Sequence, residues 1–387
     1  MSIEIIGWGH TRFGRSALSL EAMIVEAAAL ALAHAETPAQ EIDEIVLGHF
    51  NAGFSAQDFT AALVLQADPA LRFRPATRVE NACASGSAAV HTGVRAIRSG
   101  QARKVLVVGA ERMSDAAGAE VGRNLLRAAY LPEEGTVEGG FAGLFGRVAT
   151  NYFARHGDHS DALAAIAAKN HRNGADNPLA HLQKDLGLDF CRAVTPENPL
   201  VAGPLRRTDC SPVSDGAAAL VLSLGSAHDA PRAVRVAGTA HVQDFLPASR
   251  RDPLLMEGCT EAWHRALRQA GWTLDTLSFV ETHDCFTIAE LLQYEAMGLA
   301  PHGRGAEVVA SGLTARDGRL PVNRSGGLKA KGHPIGATGV SMHVMTAMQL
   351  TGEAPEAMQL GRADRGGLFN MGGLGVANYV TLLEAGR

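Results

Sequence analysis

The sequence has few of the features that mark secreted, membrane or nucleic-acid-binding proteins. Five cysteines occur among 387 residues and none forms a CxxC pair, so a disulfide framework is not expected. No apolar run reaches the roughly 18 residues that span a bilayer, and the N-terminus MSIEIIGWGH has no basic and apolar leader. The net charge of -5 gives no general affinity for nucleic acid or an anionic membrane. We therefore expect a cytoplasmic protein in a reducing compartment.

Aromatic and charged residues are also scarce, at 5% and 19% of the chain, whereas 46% is hydrophobic and 43 residues are glycine. This composition is typical of an α/β enzyme with a core of Ala, Val and Leu. The loop GWGHTRFG does not match GxGxxG, so no dinucleotide site is expected. The length predicts two or three packed units, or one duplicated unit.

The chain contains an internal repeat of strand, helix and strand. Aligning Ile42–Ile45 with Leu274–Leu277 gives an offset of 232 residues (274 minus 42), and both segments lead from a helix into a strand. The helix after Cys83 has a counterpart in the helix after His333. We therefore predict two similar α/β halves. The predicted boundaries are 1–113 for the N-terminal half, 114–206 for an inserted loop domain over the site, 207–226 for a return strand and 227–387 for the C-terminal half.

Cys83 lies between a predicted strand and a predicted helix, followed by the small residues of NACASGSAAV. A helix N-terminus carries partial positive charge, which lowers the pKa of a nearby thiol and can stabilise an oxyanion. This position suits a nucleophilic thiolate. On this residue alone, the alternative that Cys83 is a small buried hydrophobe stays open.

Four further stretches place reactive side chains at strand ends or in glycine-rich turns. They are TDCSPVSDGAAALVLS, ETHDCF, GGLKAKGHPIGATG and NMGGLGVAN. Together with NACASGSAAV, these motifs resemble those of the thiolases over essentially the whole chain, and HDCF indicates the subclass related to the sterol-carrier-protein thiolases.

The resemblance implies a duplicated five-layer α/β/α/β/α fold with an inserted loop domain. It also implies a homodimer or dimer of dimers, and an acyltransferase of lipid metabolism and fatty acid degradation. Such an enzyme cleaves 3-ketoacyl-CoA with CoA to acyl-CoA and acetyl-CoA, or catalyses the reverse condensation. Coenzyme A is then a substrate, and no bound cofactor is expected.

Cleaving a carbon–carbon bond beside a ketone requires a nucleophile, an oxyanion site and an acid for the departing enolate. We assign Cys83 as the acylated nucleophile, His333 as its base and as donor to one oxyanion, and Cys285 as the acid that later deprotonates CoA. His283 stands where other thiolases have an asparagine that positions a water in the oxyanion hole. We give it this positioning role, and a loop-stabilising histidine is the alternative.

One motif departs from the family pattern. Other thiolases carry their acid/base cysteine in a CxG motif near the C-terminus, where this chain has Phe369 and Met371. Cys285 takes over the thiol role, and the Met371 backbone N–H is expected to pair with that of Cys83 as a second oxyanion hole. Ser211 matches a serine at the pantetheine, and an ordinary turn-capping hydroxyl is the alternative. Phe145 matches a position that lines the acyl channel, and a simple core residue is the alternative.

The sequence predicts structural roles for the remaining cysteines and mainly surface positions for four cations. Cys191, Cys210 and Cys259 match no reactive position and are expected to be structural. Four cations near the motifs could contact CoA phosphates, although most are expected to be solvated surface charges. They are Arg206, Arg207, Lys329 and Lys331.

Three other functions compete with this interpretation. Two cysteines and two histidines form a zinc set, but Cys83, His283, Cys285 and His333 lack the paired spacing of zinc modules, so no metal is expected. A decarboxylating condensing enzyme would not need the proton-abstracting Cys285. A lyase or aldolase of the same fold, or a non-catalytic CoA- or lipid-binding protein, could act with a small partner subunit, which the sequence cannot show.

Overall fold

The computed structural model describes residues 2–225 and 232–386. The strands are β1 Ser2–His10, β2 Glu44–Gly48, β3 Ala76–Val79, β4 Lys104–Glu111, β5 Leu200–Ala202, β6 Leu205–Arg206, β7 Gly216–Gly225, β8 Val234–Gln243, β9 Phe279–Glu281, β10 Arg365–Gly372 and β11 Ala377–Ala385. The helices are α1 Leu20–His34, α2 Thr60–Leu63, α3 Ser85–Arg98, α4 Gly118–Leu126, α5 Leu131–Glu134, α6 Gly140–His156, α7 Ser160–Ala175, α8 Leu188–Arg192, α9 Glu257–Ala270, α10 Thr287–Ala296, α11 Gly305–Ala310, α12 Gly327–Lys331 and α13 Ile335–Thr351.

The sheet topology shows the predicted duplication. The strand order is β3-β2-β4-β7-β1-β8-β11-β10-β9. The first strands of the two halves, β1 and β8, therefore lie side by side in the middle of the sheet. In the N-terminal half, β1–β7 and β4–β7 are antiparallel and β2–β4 is parallel. In the C-terminal half, β8–β11 and β10–β11 are antiparallel and β9–β10 is parallel. The halves join at a short antiparallel pairing of β1 with β8.

The structure corrects the register of the repeat. β2 begins at residue 44 and β9 at residue 279, and short 3₁₀ turns precede them at Ala39–Glu41 and Leu274–Thr276. Both comparisons give an offset of 235 residues (279 minus 44) at this point, three more than the sequence alignment. The sequence alignment erred because short apolar segments match one another in more than one register.

The helices form the outer and middle layers of the α/β/α/β/α fold. On the outside, α1 packs on β1, β4 and β7, and α9 packs on β8 and β11. The alternating side chains of β4 show how one strand serves two layers, because Leu106 and Val108 share a core with α1, whereas Val105 and Val107 share a core with α3. Between the two halves of the sheet lie α3 and α13, which pack on each other. Helix α3 packs on β2 and β4, and α13 packs on β4 and β7 of the first half and on β10 of the second half.

Two glycines allow α3 and α13 to cross at backbone contact. A Cβ atom added to Gly86 would lie 2.7 Å from the Val340 nitrogen, and one added to Gly339 would lie 2.1 Å from the Ser87 nitrogen. Only glycine permits this approach. The crossing brings together the N-terminal ends of the two helices, which follow Cys83 and His333.

The predicted insertion is mainly helical. It contains α4 to α8 and the short strands β5 and β6, and its longest helices are α6 and α7. The proposed boundary at 226–227 lies outside the described residues, and the other boundaries stay predictions. Among the described residues, no helix is both long and apolar enough to cross a bilayer.

Candidate active site

Cys83 lies in a tight turn that links β3 to α3. Ala82 has φ = 48°, a left-handed conformation that costs an alanine about 1–2 kcal/mol. The surrounding turn is held by hydrogen bonds: the Asn81 backbone N–H donates to Ser85 Oγ at 3.0 Å, and Asn81 Nδ2 donates to Tyr379 Oη at 2.7 Å. The sulfur is thereby fixed two residues before the first turn of α3.

A cavity of about 380 Å³ opens onto the Cys83 sulfur. Cys285, His333 and Ser211 also line it, so the structure brings these predicted site residues together. The opposite wall comes from the insertion and includes Phe141. No charged side chain of the described residues lines this cavity. The surface around the sulfur is therefore mostly apolar.

Three predicted residues converge most closely. One side-chain atom each of Cys83, His283 and His333 lies within 4.8 Å of the other two, and all three residues are buried. The two imidazole rings meet edge to face with their centres 5.1 Å apart. Cys285 lies close enough for the charge of a Cys83 thiolate to raise the pKa of its own thiol, although burial is the larger cause.

The hydrogen bonds of His333 assign its proton to Nδ1. Thr338 Oγ1 lies 2.9 Å from the Pro334 carbonyl oxygen and 2.7 Å from His333 Nδ1. With its hydrogen directed to the carbonyl, this hydroxyl oxygen accepts from His333 Nδ1. Nε2 then carries a lone pair. His333 can therefore accept a proton through Nε2.

The partner of His283 assigns the opposite tautomer. Asn370 Nδ2 lies 2.8 Å from His283 Nδ1 and 3.1 Å from the Cys83 carbonyl oxygen. Since the carbonyl can only accept, the amide nitrogen donates to both, and His283 Nδ1 accepts. The proton of this ring is therefore on Nε2. His283 can donate a hydrogen bond from Nε2.

Burial keeps the resting groups neutral. It raises the pKa of the Cys83 thiol to about 12, against the smaller opposing effect of a hydrogen bond from the Gly373 backbone N–H. Burial, helped by the charge of Lys331, lowers the pKa of His333 to about 3. In the free protein, burial thus opposes the lowering of the Cys83 pKa that is expected at a helix N-terminus, and it favours the neutral thiol.

The other predicted positions have mixed outcomes. Phe145 does not line the cavity but stacks behind Phe286, a lining residue, with ring centres 4.5 Å apart. Met371 is buried in β10 opposite Asn378. The backbone N–H that reaches the Cys83 sulfur from this segment belongs to Gly373.

Three of the four cations considered for contact with CoA phosphates are buried. Arg206 pairs with Asp209 at 2.9 Å, Lys331 Nζ donates to Ser341 Oγ at 2.9 Å, and Lys329 is also inaccessible. Packing, rather than local polarity, decides their exposure, so the expectation of surface charge is wrong for these residues. Arg207 remains exposed.

The remaining cysteines also differ from one another. Cys191 and Cys259 are buried away from the cavity, whereas Cys210 lines it. Burial raises the pKa of the Cys210 thiol to about 12. The structure thus gives this cavity a third thiol that sequence reasoning did not place there.

Two residues of the site were missed in the sequence. Asn370 lies inside the NMGGLGVAN motif, and Asp284 separates His283 from Cys285. The Asp284 carboxylate accepts hydrogen bonds from the backbone N–H groups of Leu328 at 2.6 Å and Lys329 at 3.2 Å. Their positions inside motifs were the available signal, but their partners are distant in sequence.

Comparisons with known proteins agree with the fold and the motifs. The family profile "Thiolase, N-terminal domain" matches residues 3–226, and "Thiolase C-terminal domain-like" matches residues 240–385. An acetyl-CoA acetyltransferase of Methanothermobacter thermautotrophicus is 35% identical over 382 residues, covering 96% of this chain and 97% of the relative. Sterol carrier protein 2 of Oryctolagus cuniculus is 30% identical over 412 residues, covering 99% of this chain and 72% of the relative.

A solved structure shares the fold at lower identity. The structure described as "Ltp2-ChsH2(DUF35) aldolase" superposes with a TM-score of 0.82 and 22% identity, covering 100% of this chain and 98% of that chain. The two family profiles cover one half each, with Cys83 in the first and His333 in the second. Each of the two relatives matches nearly the whole chain. The chain belongs to the thiolase family of acyltransferases.

Proposed function

We propose that this protein is a 3-ketoacyl-CoA thiolase of the sterol-carrier-protein type, which forms an acyl-enzyme on Cys83. It cleaves 3-ketoacyl-CoA with CoA to acyl-CoA and acetyl-CoA, or runs the reverse condensation, within lipid metabolism and fatty acid degradation. The observation that carries the proposal is the meeting, in one cavity, of a Cys83 thiol, an unprotonated His333 nitrogen and a second thiol at Cys285.

The first half-reaction transfers an acyl group to Cys83. The Cys83 proton moves to His333 Nε2 while the sulfur attacks the ketone carbon of the substrate. His283 Nε2–H is oriented to stabilise an oxyanion, and the protonated His333 becomes a second donor. The bond between C2 and C3 then breaks, its electron pair stays on C2, and the Cys285 thiol protonates this carbon to give acetyl-CoA.

The second half-reaction returns the enzyme to its resting state. The Cys285 thiolate removes the proton of an incoming CoA thiol, and the CoA sulfur attacks the Cys83 thioester. The Cys83 sulfur leaves and recovers its proton from His333. We expect the backbone N–H of Cys83 to stabilise this second oxyanion. Since Gly373 reaches the sulfur, we favour its N–H over that of Met371 as the partner.

Substrate contacts follow from the cavity wall. We assign Ser211 to the pantetheine arm of CoA, and Phe141 and Phe286 to the acyl chain. Phe145 would then act by supporting Phe286. In this mechanism CoA is a substrate, and no bound cofactor is required.

The tautomers argue against a zinc site at the same residues. A zinc ligand must offer an imidazole lone pair, and Asn370 occupies Nδ1 of His283 while Nε2 of that ring holds the proton. His283 is therefore set as a donor. Metal analysis of the purified protein that found one tightly bound zinc per chain would overturn this part of the proposal.

An aldolase or lyase acting with a partner chain is the second candidate. The solved fold neighbour with a TM-score of 0.82 is described as an aldolase with a DUF35 partner, and the catalytic cavity here has no cation among the described residues to meet CoA phosphates. A partner subunit could supply one. However, aldol cleavage needs neither a covalent thioester nor a second thiol, so the paired thiols favour thiolysis.

The proposal is tested by intact-mass spectrometry of two variants incubated with an activated acyl-CoA. Replacing Cys83 or Cys285 with alanine should stop turnover, and loss of acid/base help costs about 10² to 10⁴ in rate. An acyl adduct should accumulate on Cys285→Ala, map to Cys83 and be absent from Cys83→Ala. Cys191→Ala, with its buried thiol outside the cavity, is the matched control and should react as the wild type does.

Normal turnover by Cys285→Ala would show that Cys285 is a packing residue and that another group protonates the enolate. In the wild type, CoA-dependent cleavage of short, long and branched 3-ketoacyl-CoAs should release acetyl-CoA. Failure of every such substrate, combined with retro-aldol activity in the presence of a partner, would favour the second candidate.

A further inference from the structure

The Asn370 side chain contacts the Cys83 turn in the N-terminal half and His283 in the C-terminal half. It is fully buried on β10, and its Nδ2 atom lies 3.1 Å from the Cys83 carbonyl oxygen and 2.8 Å from His283 Nδ1. Within residues 2–225 and 232–386, its Oδ1 atom has no hydrogen-bond partner. The NH₂ end therefore makes both hydrogen bonds of this side chain, one to each half of the chain.

The orientation of this amide follows from elementary chemistry. Rotating it by 180° would bring Oδ1 to about 3.1 Å from the Cys83 carbonyl oxygen, so two acceptors would face each other without a hydrogen. The amide would also lose its donor to that carbonyl. The NH₂ group therefore points to the carbonyl and to His283, and the Cys83 backbone fixes which way Asn370 faces.

Burial alone could not select the tautomer of His283. It lowers the pKa of this histidine well below its ordinary value and so keeps the ring neutral, but a neutral ring can hold its proton on either nitrogen. The NH₂ group at Nδ1 removes that choice. With the proton on Nδ1 instead, Nε2 would direct a lone pair at a developing oxyanion.

We propose that Asn370 is a positioning residue that holds His283 as the Nε2–H tautomer, so that His283 donates while the neighbouring His333 accepts. Thr338 sets the opposite state in His333 through its own hydrogen bond. The benefit for oxyanion stabilisation rests on the proposed thiolase function. The tautomer itself does not, and it can be measured without substrate.

The test is nitrogen NMR of histidine-labelled full-length protein, in which protonated and unprotonated ring nitrogens resonate far apart. The His283 signals are assigned by their loss in His283→Gln. In the wild type between pH 6 and 8, we expect a protonated Nε2 and an unprotonated Nδ1. Asn370→Asp should move a proton to Nδ1 and raise the pKa of His283, because a carboxylate favours the charged ring.

Two further variants separate positioning from general structural damage. Asn370→Leu removes the donor and should give a mixture of tautomers. We expect kcat to fall about 10- to 100-fold and KM to change little. This loss of kcat is smaller than the loss of about 10²- to 10³-fold that follows deletion of an oxyanion donor itself. Asn198→Asp is the matched control, since Asn198 is a buried amide that donates to the backbone carbonyls of Phe190 and Ala193 in the insertion. It should leave the His283 signals unchanged.

A protonated Nδ1 on His283 in the wild type would overturn the inference, even if no Asn370 variant folds. An Asn370→Asp protein with unchanged His283 tautomer and pKa would overturn it as well. Absence of thiolase activity in the wild type would instead contradict the proposed function, and the NMR result would still decide the role of Asn370.

Discussion

At the scale of single residues, the chemistry of the site depends on which group holds each proton. The α3 N-terminus offers Cys83 a partial charge of about half a unit, but desolvation of a buried thiolate outweighs it and raises the pKa of Cys83. Free enzyme with a neutral thiol and a neutral His333 should be slow to react with adventitious electrophiles. In the proposed mechanism, the ketone oxygen of the substrate takes up the negative charge as the Cys83 proton moves to His333.

Asp284 links the turn that carries His283 and Cys285 to the turn that leads to His333. Its carboxylate accepts from Leu328 N and Lys329 N at the start of α12, and from Asn170 Nδ2 at 2.7 Å. Glycine is required opposite it, because a Cβ on Gly327 would lie 2.3 Å from Asp284 Oδ2. Burial and the nearby charge of Glu290 raise the pKa of this carboxyl.

Asp284→Asn should lower kcat by about tenfold or more. The NH₂ group of the new amide would face backbone N–H donors, so the turn that carries His283 and Cys285 should shift relative to the turn that leads to His333. Loss of hydrogen bonds to a charged acceptor should also cost about 1.5–3 kcal/mol of unfolding free energy. Steady-state kinetics and urea unfolding measure the two effects. Asp43→Asn is the control, since Asp43 accepts from Arg103 N and Lys104 N outside the cavity. Full activity in Asp284→Asn would contradict this linkage.

At the scale of elements, the crossing of α3 and α13 determines how Cys83 meets His333. Both helices start immediately beyond their catalytic turns, and the contact at Gly86 and Gly339 leaves no room for a side chain. A change of helix separation therefore moves the two turns relative to each other. The sheet halves on either side hold the helices in place.

Gly339→Ala should destabilise the protein by about 3 kcal/mol, because its Cβ would overlap the Ser87 backbone nitrogen, and overpacked cores cost this much. Urea unfolding followed by circular dichroism measures the change. Gly122→Ala is the matched control: this helical glycine in α4 faces open space, so alanine should stabilise by about 0.5–1 kcal/mol. Equal effects of both substitutions would show that the crossing is not tight.

At the scale of the whole molecule, many neutral histidines make the fold sensitive to acid. Burial is the main cause that lowers the pKa of His10, His171 and His333 to about 3 and that of His343 to about 4. In the unfolded chain these groups take up protons near pH 6.5. Since the unfolded state then binds more protons than the folded state, stability falls as the pH drops below about 6.5.

Each of these histidines should remove about 1.4 kcal/mol of stability per pH unit between about pH 6.5 and its folded pKa. The raised pKa of Asp284 opposes this trend with one group. We therefore expect the urea midpoint to fall steeply from pH 7 to pH 5, with acid unfolding near pH 5. His10→Gln should reduce the slope by about one proton. A flat midpoint over this range would contradict the prediction.

The edge strand β3 predicts self-association. It ends the sheet with one unpaired edge, and Phe59 and Phe73, which both precede it in the sequence, are 86% and 85% exposed. We expect a homodimer, alone or paired into a tetramer, that covers this edge. Light scattering at micromolar concentration should show it, and Phe73→Glu should weaken it, whereas Phe245→Glu in the other half should not. A stable wild-type monomer would contradict the prediction.

Much of the architecture could be read along the chain. The alternation of strands and helices, the repeat and the order of motifs predicted the duplicated fold, because buried strands and amphipathic helices leave local patterns of apolar residues. The motif positions also predicted that Cys83, Cys285 and His333 share one cavity. The register of the repeat was harder, since neighbouring apolar residues fit several alignments.

Proton positions, burial of cations and the choice of backbone donor depend on contacts between distant segments. Thr338 and Asn370 give the two histidines opposite tautomers, and only the fold shows that the second of them lies beside His283. Lys329 looks like a surface charge in sequence, yet packing buries it. The sequence by itself determined the family and the candidate reactive residues. The tertiary structure decided their protonation, because solvent exposure and hydrogen-bond partners exist only after distant elements pack together.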